Sequence, residues 1–320
     1  MSRNAIEAVG VYTPRYRIDA DEFGAVGGSN ARGVSTKSVA AADEDAVTMA
    51  VEAVERALDG AETPRESVST LIFASTTPPM EEFDVGATIA EILGLNRGVR
   101  TEVLTQSASA GTRGLMAGFE SDVPAIVAAA DQPRSAPTDA LDHAAGAGAV
   151  AFVLSADGSV DLSEAATHTE EYPGTRFRRF GSDAVESYDA TAYERRAFVD
   201  PIATTVGKLD DPAAAVALTA PDGSLPYRAA RNLEFDADVY QSASELGDLG
   251  AASALFGLVR AWNDDADRVT LIGYGDGASV DALVLEGAIS APTARTTESI
   301  EYGEYLRKRG HLDSGAGGDD

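Results

Sequence analysis

The chain has 320 residues, of which 44% are hydrophobic, and it carries a formal net charge of −27 with an isoelectric point near 4.3. This length allows one large domain or two closely packed ones, and the recurring aliphatic segments exclude a disordered acidic chain. The absence of cysteine excludes disulfides, thiolate metal sites and a cysteine nucleophile, and the three scattered histidines argue against a zinc site.

The basic residues are nearly all arginine, because the only lysines are Lys37, Lys208 and Lys308. An excess of dispersed acids, with almost no lysine, predicts a surface adapted to high salt, where screening removes self-repulsion; an acidic face for a cationic partner is the alternative. The same charge disfavours binding to nucleic acid. The apolar runs are too short for a membrane span and the N-terminus lacks a signal-peptide core, so we expect a soluble, cytoplasmic protein.

The first half of the chain alternates helical and strand-like segments. DEDAVTMAVEAVERALDG (43–60) predicts an amphipathic helix with Val47, Val51, Val54 and Leu58 on one face. Further helices are predicted at VGATIAEILG and SAGTRGLMAGFES, and strands at TLIFAST, VRTEVLT and VPAIVAAA. This alternation predicts a layered α/β fold with mixed sheets.

The second half repeats the scheme, with strands at AAVALT, RVTLIGYG and ASVDALVLEG and helices at LPYRAARNL and LGAASALFGLVRAW. GAGAVAFVLS (146–155) resembles GDGASVDALVL (275–285), which favours an internal duplication over a chance match. We therefore divide the chain into an N-terminal half (1–155), a polar and arginine-rich inserted region (156–212), a C-terminal half (213–312) and a disordered tail (313–320).

Several motifs resemble those of one known family. AVGVYTPRYRI, KSVAAADEDAVTMAVEA, FASTTPP, GYGDGASVDAL and YGEYLRKRGHL are similar to segments of the 3-hydroxy-3-methylglutaryl-CoA synthase family of the thiolase superfamily, over about residues 5 to 312. The resemblance implies a five-layer αβαβα fold built from two similar halves and assembled as a homodimer. It also implies a coenzyme A thioester as ligand, with no metal or other cofactor.

The family's acyl transfer uses a cysteine at a helix N-terminus, a histidine and an asparagine that polarise the thioester carbonyl, and a glutamate base. The resemblance places these four positions on Ala108 in QSASAGT, Thr219 in LTAPDG, Asp248 in LGDLGAAS and Thr76 in FASTTPP. None of the four residues matches. The resemblance thus implies a family member that has lost its covalent mechanism.

The residues near these positions have two interpretations each. One interpretation is that Ser107 or Ser109 replaces the thiol, but a hydroxyl needs an adjacent base to act as a nucleophile. We therefore predict that these serines cap the helix or line a small pocket. Asp248 is either a helix cap or a general base.

Other candidates lie in turns and polar segments. Gly275 and Gly277 are candidate substrate-binding positions, Asp276 between them a turn residue, and Tyr274 either a carbonyl donor or a sheet residue. His143 is expected near the surface or a helix end. The FRRF segment (177–180) would meet either the phosphates of coenzyme A or surface acids.

Two functions follow from these observations. The first is a non-covalent acyl-CoA-binding subunit, because relatives with such a cysteine-free junction resemble proteins that work beside a true thiolase and a small zinc-ribbon/OB-fold protein. The second is an enzyme without a covalent intermediate, a retro-aldol lyase or an acyltransferase, with Asp248 or a tyrosine as base and backbone N–H groups near Ala108 stabilising the carbonyl. A fold alone does not choose between them.

Overall fold

The computed structural model describes residues 4–172, 176–179, 181–182, 185–186, 194–277, 279–293 and 295–312. The predicted disordered tail and parts of the predicted inserted region lie outside these ranges. The strands of the described residues, in chain order, are β1 (Ala5–Tyr12), β2 (Tyr16–Asp19), β3 (Thr36–Val39), β4 (Thr70–Ser75), β5 (Arg100–Thr105), β6 (Ala125–Asp131), β7 (Gly148–Ser155), β8 (Asp161–Thr169), β9 (Phe177–Arg178), β10 (Val185–Glu186), β11 (Ala215–Leu218), β12 (Asp238–Tyr240), β13 (Arg268–Gly275), β14 (Ser279–Glu286) and β15 (Glu298–Ser299).

The helices connect these strands. The α-helices are α1 (Ala20–Ala25), α2 (Ala46–Asp59), α3 (Val85–Ile92), α4 (Ala110–Glu120), α5 (Ala140–Ala144), α6 (Asp200–Val206), α7 (Leu225–Ala230), α8 (Ala243–Leu246), α9 (Ser253–Asn263) and α10 (Tyr302–Lys308). Short 3₁₀ helices lie at Arg65–Ser67 and Gly250–Ala252, and a π-helix lies at Glu194–Val199. None of the described helices has the length and apolar character needed to cross a membrane.

Two five-stranded sheets have the same topology. The first has the order β1-β7-β6-β4-β5 and the second the order β8-β14-β13-β11-β12. In each sheet the second strand along the chain is parallel to the third and fourth, and the fifth is antiparallel to the fourth and first. The two glycine-preceded segments that resemble each other in sequence form β7 and β14, the fifth strand of each sheet. The duplicated α/β fold is therefore confirmed.

The sheets and helices stack in five layers. Helices α4 and α9 lie between the two sheets, where Leu115, Leu255 and Trp262 are buried in one apolar cluster. Helix α2 covers the outer face of the first sheet, and α6 and α7 cover the outer face of the second. This arrangement brings the N-terminus of α4 close to residues of both halves.

Helix α2 forms where the periodicity predicts it. Asp45 accepts the N–H of Thr48 while the Thr48 hydroxyl accepts the N–H of Asp45, which satisfies the free donors of the first turn. Val47, Val54 and Leu58 are buried, and Val51 is half-buried. Capping and apolar periodicity agree here, which is why the sequence identifies this helix well.

The second sheet includes residues that the sequence analysis assigned to the inserted region (156–212). Strand β8 pairs with β14 and forms the edge of that sheet, although residues 161–169 fall within the range assigned to an inserted region. Exposed and half-buried residues alternate along β8, because successive side chains point to opposite faces of the sheet and one of these faces is solvated at this edge. Its polar composition therefore resembles that of a loop.

A third, small sheet joins both ends of the chain. Strand β2 pairs with β3 and with β15. Phe23 of α1 packs against Tyr302 and Tyr305 of α10, with ring centroids 5.2 and 5.5 Å apart. The C-terminal helix is thus held against the N-terminal part of the chain.

The contact between α4 and the 3₁₀ helix 250–252 leaves no space for a side chain. A Cβ at Gly111 would overlap the carbonyl oxygen of Ala251. We expect Gly111→Ala to lower the free energy of unfolding by roughly 1–3 kcal/mol or more, since the backbone has to move. Gly24→Ala in α1, where a Cβ meets open space, is the control and should raise it by about 0.5–1 kcal/mol. Equal unfolding midpoints in denaturant for the two variants would contradict this packing.

Candidate functional site

A pocket of about 450 Å³ lies where the two halves meet. Thr76 and Ala108 reach it from the first half, after β4 and before α4, and Thr219 and Asp248 reach it from the second. The carboxyl ends of the parallel strands β4, β5 and β11 lie at this pocket, the usual position of sites in α/β proteins. The structure therefore brings together all four positions that the resemblance selected; their functional role stays a prediction.

The turn before α4 presents Ala108 to the pocket. Gln106 has a φ of 72°, which reverses the chain between β5 and α4. The hydroxyls of Ser107 and Ser109 lie 2.8 Å apart, and no side chain caps α4. Ser107 lines the pocket as expected, whereas neither serine caps the helix. Neither hydroxyl contacts an imidazole or a carboxylate of the described residues, so no base activates it.

Asp248 lies at the base of the pocket and is nearly fully buried. One carboxylate oxygen forms an ion pair with Arg176, and the other accepts the N–H of Gly250 at 2.8 Å. Burial raises the pKa of Asp248 above its ordinary value, and the charge of Arg176 opposes that shift. Asp248 thus holds the first residue of the 3₁₀ helix, whose N-cap position is Leu249, and it also lines the pocket.

Asp131 is a site residue that the sequence interpretation missed. Its carboxylate is completely buried at the end of β6 and accepts hydrogen bonds from the hydroxyls of Ser75, Thr76 and Thr77 at 2.6–2.9 Å. It also accepts the N–H of Ala251 at 2.7 Å. The only signal in the sequence is an acid placed directly after an apolar strand. Asp131 fixes the two threonines that line the pocket.

Thr219 and Tyr274 form another wall of the pocket. The Thr219 hydroxyl accepts the N–H of Tyr274 at 3.0 Å, so its oxygen is engaged by the backbone. Tyr274 is buried and its ring contacts Phe198 edge-on at 4.6 Å. Tyr274 is therefore a buried sheet residue that also lines the pocket, and its role as a carbonyl donor stays a prediction.

The two candidate glycines are not among the described residues that line the pocket. A Cβ at Gly275 would overlap the Ser107 hydroxyl, so this glycine permits the close approach of β13 to the turn before α4. Gly277 has a φ of 100° and follows β13, facing open space. Asp276 between them does line the pocket, and it accepts the N–H of Arg176 at 2.9 Å.

The pocket is rich in arginine although the chain is strongly acidic. Four arginines and three acids line it: Arg134, Arg176, Arg178, Arg179, Glu81, Asp248 and Asp276. Arg179 also pairs with Glu186 at 2.7 Å, so the FRRF segment contacts both the pocket and a surface acid. Among the described residues, Arg178 donates only a long hydrogen bond, 3.5 Å, to the carbonyl of Ser182. Its guanidinium is available to an anion.

His143 lies away from the pocket. It is completely buried in α5, and its Nδ1 accepts the N–H of Ala31 at 2.7 Å, so the neutral ring carries its hydrogen on Nε2. Burial, followed by the charge of Lys37, lowers the pKa of His143 to about 4. The expectation of a surface position is wrong, while the position at a helix end is correct.

The comparisons with known proteins agree with this fold. No protein-family model matches the chain. Solved structures similar to it include MvaS in complex with 3-hydroxy-3-methylglutaryl coenzyme A, with a TM-score of 0.82, 18% identity and coverage of 97% of this chain and 92% of that one. Another is 3-oxoacyl-(acyl carrier protein) synthase III, FabH, from Pseudomonas aeruginosa PAO1, with a TM-score of 0.78, 19% identity and coverage of 91% and 100%. The chain has a thiolase-like fold.

The sequence comparison indicates a narrower group of proteins than the comparison of structures does. The hydroxymethylglutaryl-CoA synthase of Pyrobaculum neutrophilum is 27% identical over 345 residues, covering 97% of this chain and 98% of the relative. That of Aeropyrum pernix is 28% identical over 346 residues, covering 97% and 95%. The chain is similar to hydroxymethylglutaryl-CoA synthases over nearly its whole length, and it contains no cysteine.

The buried imidazole of His143 predicts a pH dependence of stability. Its pKa is about 4 in the folded chain and about 6.5 when unfolded, so the unfolded state binds more protons between these values. The stabilisation is complete above pH 6.5, and on the order of 2–3 kcal/mol is lost as the pH falls toward 4. His143→Gln, which keeps an acceptor for Ala31, should flatten this part of the curve in denaturant titrations. An unchanged slope would contradict the assignment.

Proposed function

We propose that the chain is an acyl-CoA-binding protein that has lost the covalent acyl transfer of its homologues. The observation that carries this proposal is that Thr76, Ala108, Thr219 and Asp248 line one pocket without a thiol, an imidazole, an amide or a free carboxylate base among them. Acyl-enzyme formation needs an activated nucleophile at the helix tip. Ala108 has none, and the hydroxyls of Ser107 and Ser109 contact each other and no base of the described residues.

The pocket retains features suited to a coenzyme A thioester. A solved structure with this fold was determined as an HMG-CoA synthase complexed with CoA, and it shares 16% identity and a TM-score of 0.79 with the chain. Arginines pair readily with phosphates, and Arg178 and Arg179 lie at the exposed side of the pocket. Phe83 and Val103 line the same pocket, and their apolar side chains would contact the pantetheine arm.

We further propose that the protein works as a homodimer. Strand β5 is the edge of the first sheet, and an unpaired edge readily adds a second strand. Val103 on this edge and the neighbouring Met80 and Phe83 are exposed, at 37%, 56% and 66%. An exposed apolar cluster of this kind marks a contact surface. Such a dimer would act in a salt-rich cytoplasm as a subunit beside a thiolase and a zinc-ribbon/OB-fold protein.

One observation favours the alternative, an enzyme without a covalent intermediate. Asp248 lies in the pocket with a raised pKa, as a general base acting near neutral pH requires. Its ion pair with Arg176 and its hydrogen bond from Gly250 oppose that role, because both stabilise the carboxylate and occupy its oxygens. Turnover of an acyl-CoA that is lost in Asp248→Asn, with binding retained, would favour the lyase over the binding subunit.

Binding of coenzyme A is tested directly by calorimetry at high salt. We expect Arg178→Ala to weaken binding of coenzyme A roughly tenfold, since one charge-assisted contact to phosphate is lost. Arg97→Ala is the matched control, because Arg97 is exposed and lies outside the pocket. Absence of binding in the unmodified chain, or an equal effect of both substitutions, would refute the proposed site.

Restoring the thiol alone should not restore synthesis. We expect Ala108→Cys to give no detectable condensation of acetyl-CoA with acetoacetyl-CoA, because Thr76, Thr219 and Asp248 stand where the mechanism needs a glutamate base, a histidine and an asparagine. Intact-mass spectrometry after incubation with acetyl-CoA measures acyl-enzyme formation, and labelling with a thiol reagent controls for access to Cys at this position. Synthase turnover by this variant would show that the catalytic set has not been lost.

A further inference from the structure

A buried lysine lies outside the pocket, beneath the C-terminal helix. Lys37 on β3 is 1% exposed, and its Nζ donates hydrogen bonds to the carbonyl of Asp142 and, at 2.9 Å, to the hydroxyl of Tyr305. The Tyr305 hydroxyl donates to a carboxylate oxygen of Asp142 at 2.6 Å. We call Lys37, Asp142 and Tyr305 the Lys37 triad. It joins β3, α5 and α10.

The geometry of the triad fits a neutral amine. A neutral lysine has two N–H donors, and Lys37 makes two hydrogen bonds within the described residues. The third donor of a protonated Lys37 would meet only the rings of Phe23 and Tyr305, whose centroids lie 4.8 and 4.4 Å from Nζ, and a ring is a weaker acceptor than oxygen. Burial, together with the charge of Arg309, lowers the pKa of Lys37 to about 7, and Asp142 opposes the shift. The titratable groups around Lys37 are Asp142 and His143 from α5, Tyr302 and Tyr305 from α10, and Arg309 directly after α10.

Two neighbours of Lys37 titrate outside this range. Burial raises the pKa of Tyr305 well above its ordinary value, so its hydroxyl remains a donor. The pKa of His143 is about 4 in the folded chain. Between pH 7 and 9, opening of the cluster therefore changes the charge of Lys37 and not that of these two neighbours.

The triad connects directly to the segment that carries Asp248. The N–H of Asp248 donates to the carbonyl of Ala144 at the end of α5, and the N–H of Gly146 donates to the carbonyl of Asp248 at 2.8 Å. Ser38, next to Lys37, donates to the carbonyls of Ala147 and Leu246, at 2.6 and 2.9 Å. Displacement of β3 or α5 therefore moves residues 246–248, of which Asp248 lines the base of the pocket.

We propose that the Lys37 triad is a pH-sensitive clamp through which the C-terminal helix α10 holds residues 246–248, and with them the base of the pocket, in one arrangement. Protonation of Lys37 places a charge in the buried cluster and favours local opening, in which the ammonium group reaches water. The clamp is a property of the fold. Only its effect on ligand binding rests on the proposed function.

The sign of the pH dependence follows from proton uptake. Lys37 has a pKa of about 7 in the closed state and about 10.5 when exposed, so opening takes up a proton above pH 7. The opening equilibrium should therefore fall by up to about tenfold for each pH unit between about pH 7 and about pH 9. The clamp holds more firmly as the pH rises through this range.

Amide hydrogen exchange, corrected for intrinsic rates, tests the clamp. The probes are the amides of Asp248 and Gly146, and the amide of Val127 in the central strand β6 is the internal reference. In Tyr305→Phe, which removes the shared hydroxyl, we expect protection of the two probes to fall about tenfold or more, while Val127 is unchanged. Tyr302→Phe is the matched control, because it keeps the ring that packs against Tyr305 and removes only a hydroxyl that makes no hydrogen bond to the triad.

A second variant keeps the test decisive if Tyr305→Phe does not fold. Lys37→Met retains the apolar stem but cannot titrate, so protection of the probes should not change with pH between about 7 and 9, whereas it rises in the unmodified chain. Protection that is independent of pH in the unmodified chain, or equal effects of Tyr305→Phe and Tyr302→Phe, would overturn the proposal. Coenzyme A binding is measured separately, so its absence would refute the proposed function and leave the exchange result standing.

Discussion

The carboxylate of Asp131 links the two halves of the molecule at the pocket. It is buried, and a buried charge is tolerated only when its oxygens are fully hydrogen-bonded. Thr76 and Thr77 supply donors from the first half, and the N–H of Ala251 supplies one from the second. The position of the threonines, the 3₁₀ helix after Asp248 and hence the shape of the pocket all depend on this shared acceptor.

The pocket residues around this link are unreactive or paired with one another. Ala108 lies just before α4, and the Thr219 hydroxyl accepts the backbone N–H of Tyr274. Asp248 is paired with Arg176. The pocket therefore has volume, hydrogen-bond donors and positive charge, and no nucleophile and base of the described residues are in contact there.

Much of the fold could be predicted from local patterns. Helix α2 has both a cap and an apolar face, and the echo between β7 and β14 revealed the duplication. The four pocket positions came from motif resemblance, and the structure brings them together. Strand β8 was not identified, because an edge strand with one solvated face resembles a polar loop. Asp131 and the Lys37 triad were also missed, since their partners lie far apart in the chain.

The sequence by itself determined the periodicity of the elements, the duplication and the absence of a thiol, because these are properties of residue type and spacing. Only the tertiary structure decided which polar groups share a hydrogen bond. Arg176 meets Asp248 across 72 residues, and Lys37 meets Tyr305 across 268. Such contacts depend on how sheets and helices stack, and burial then sets the pKa of each group, which no local pattern encodes.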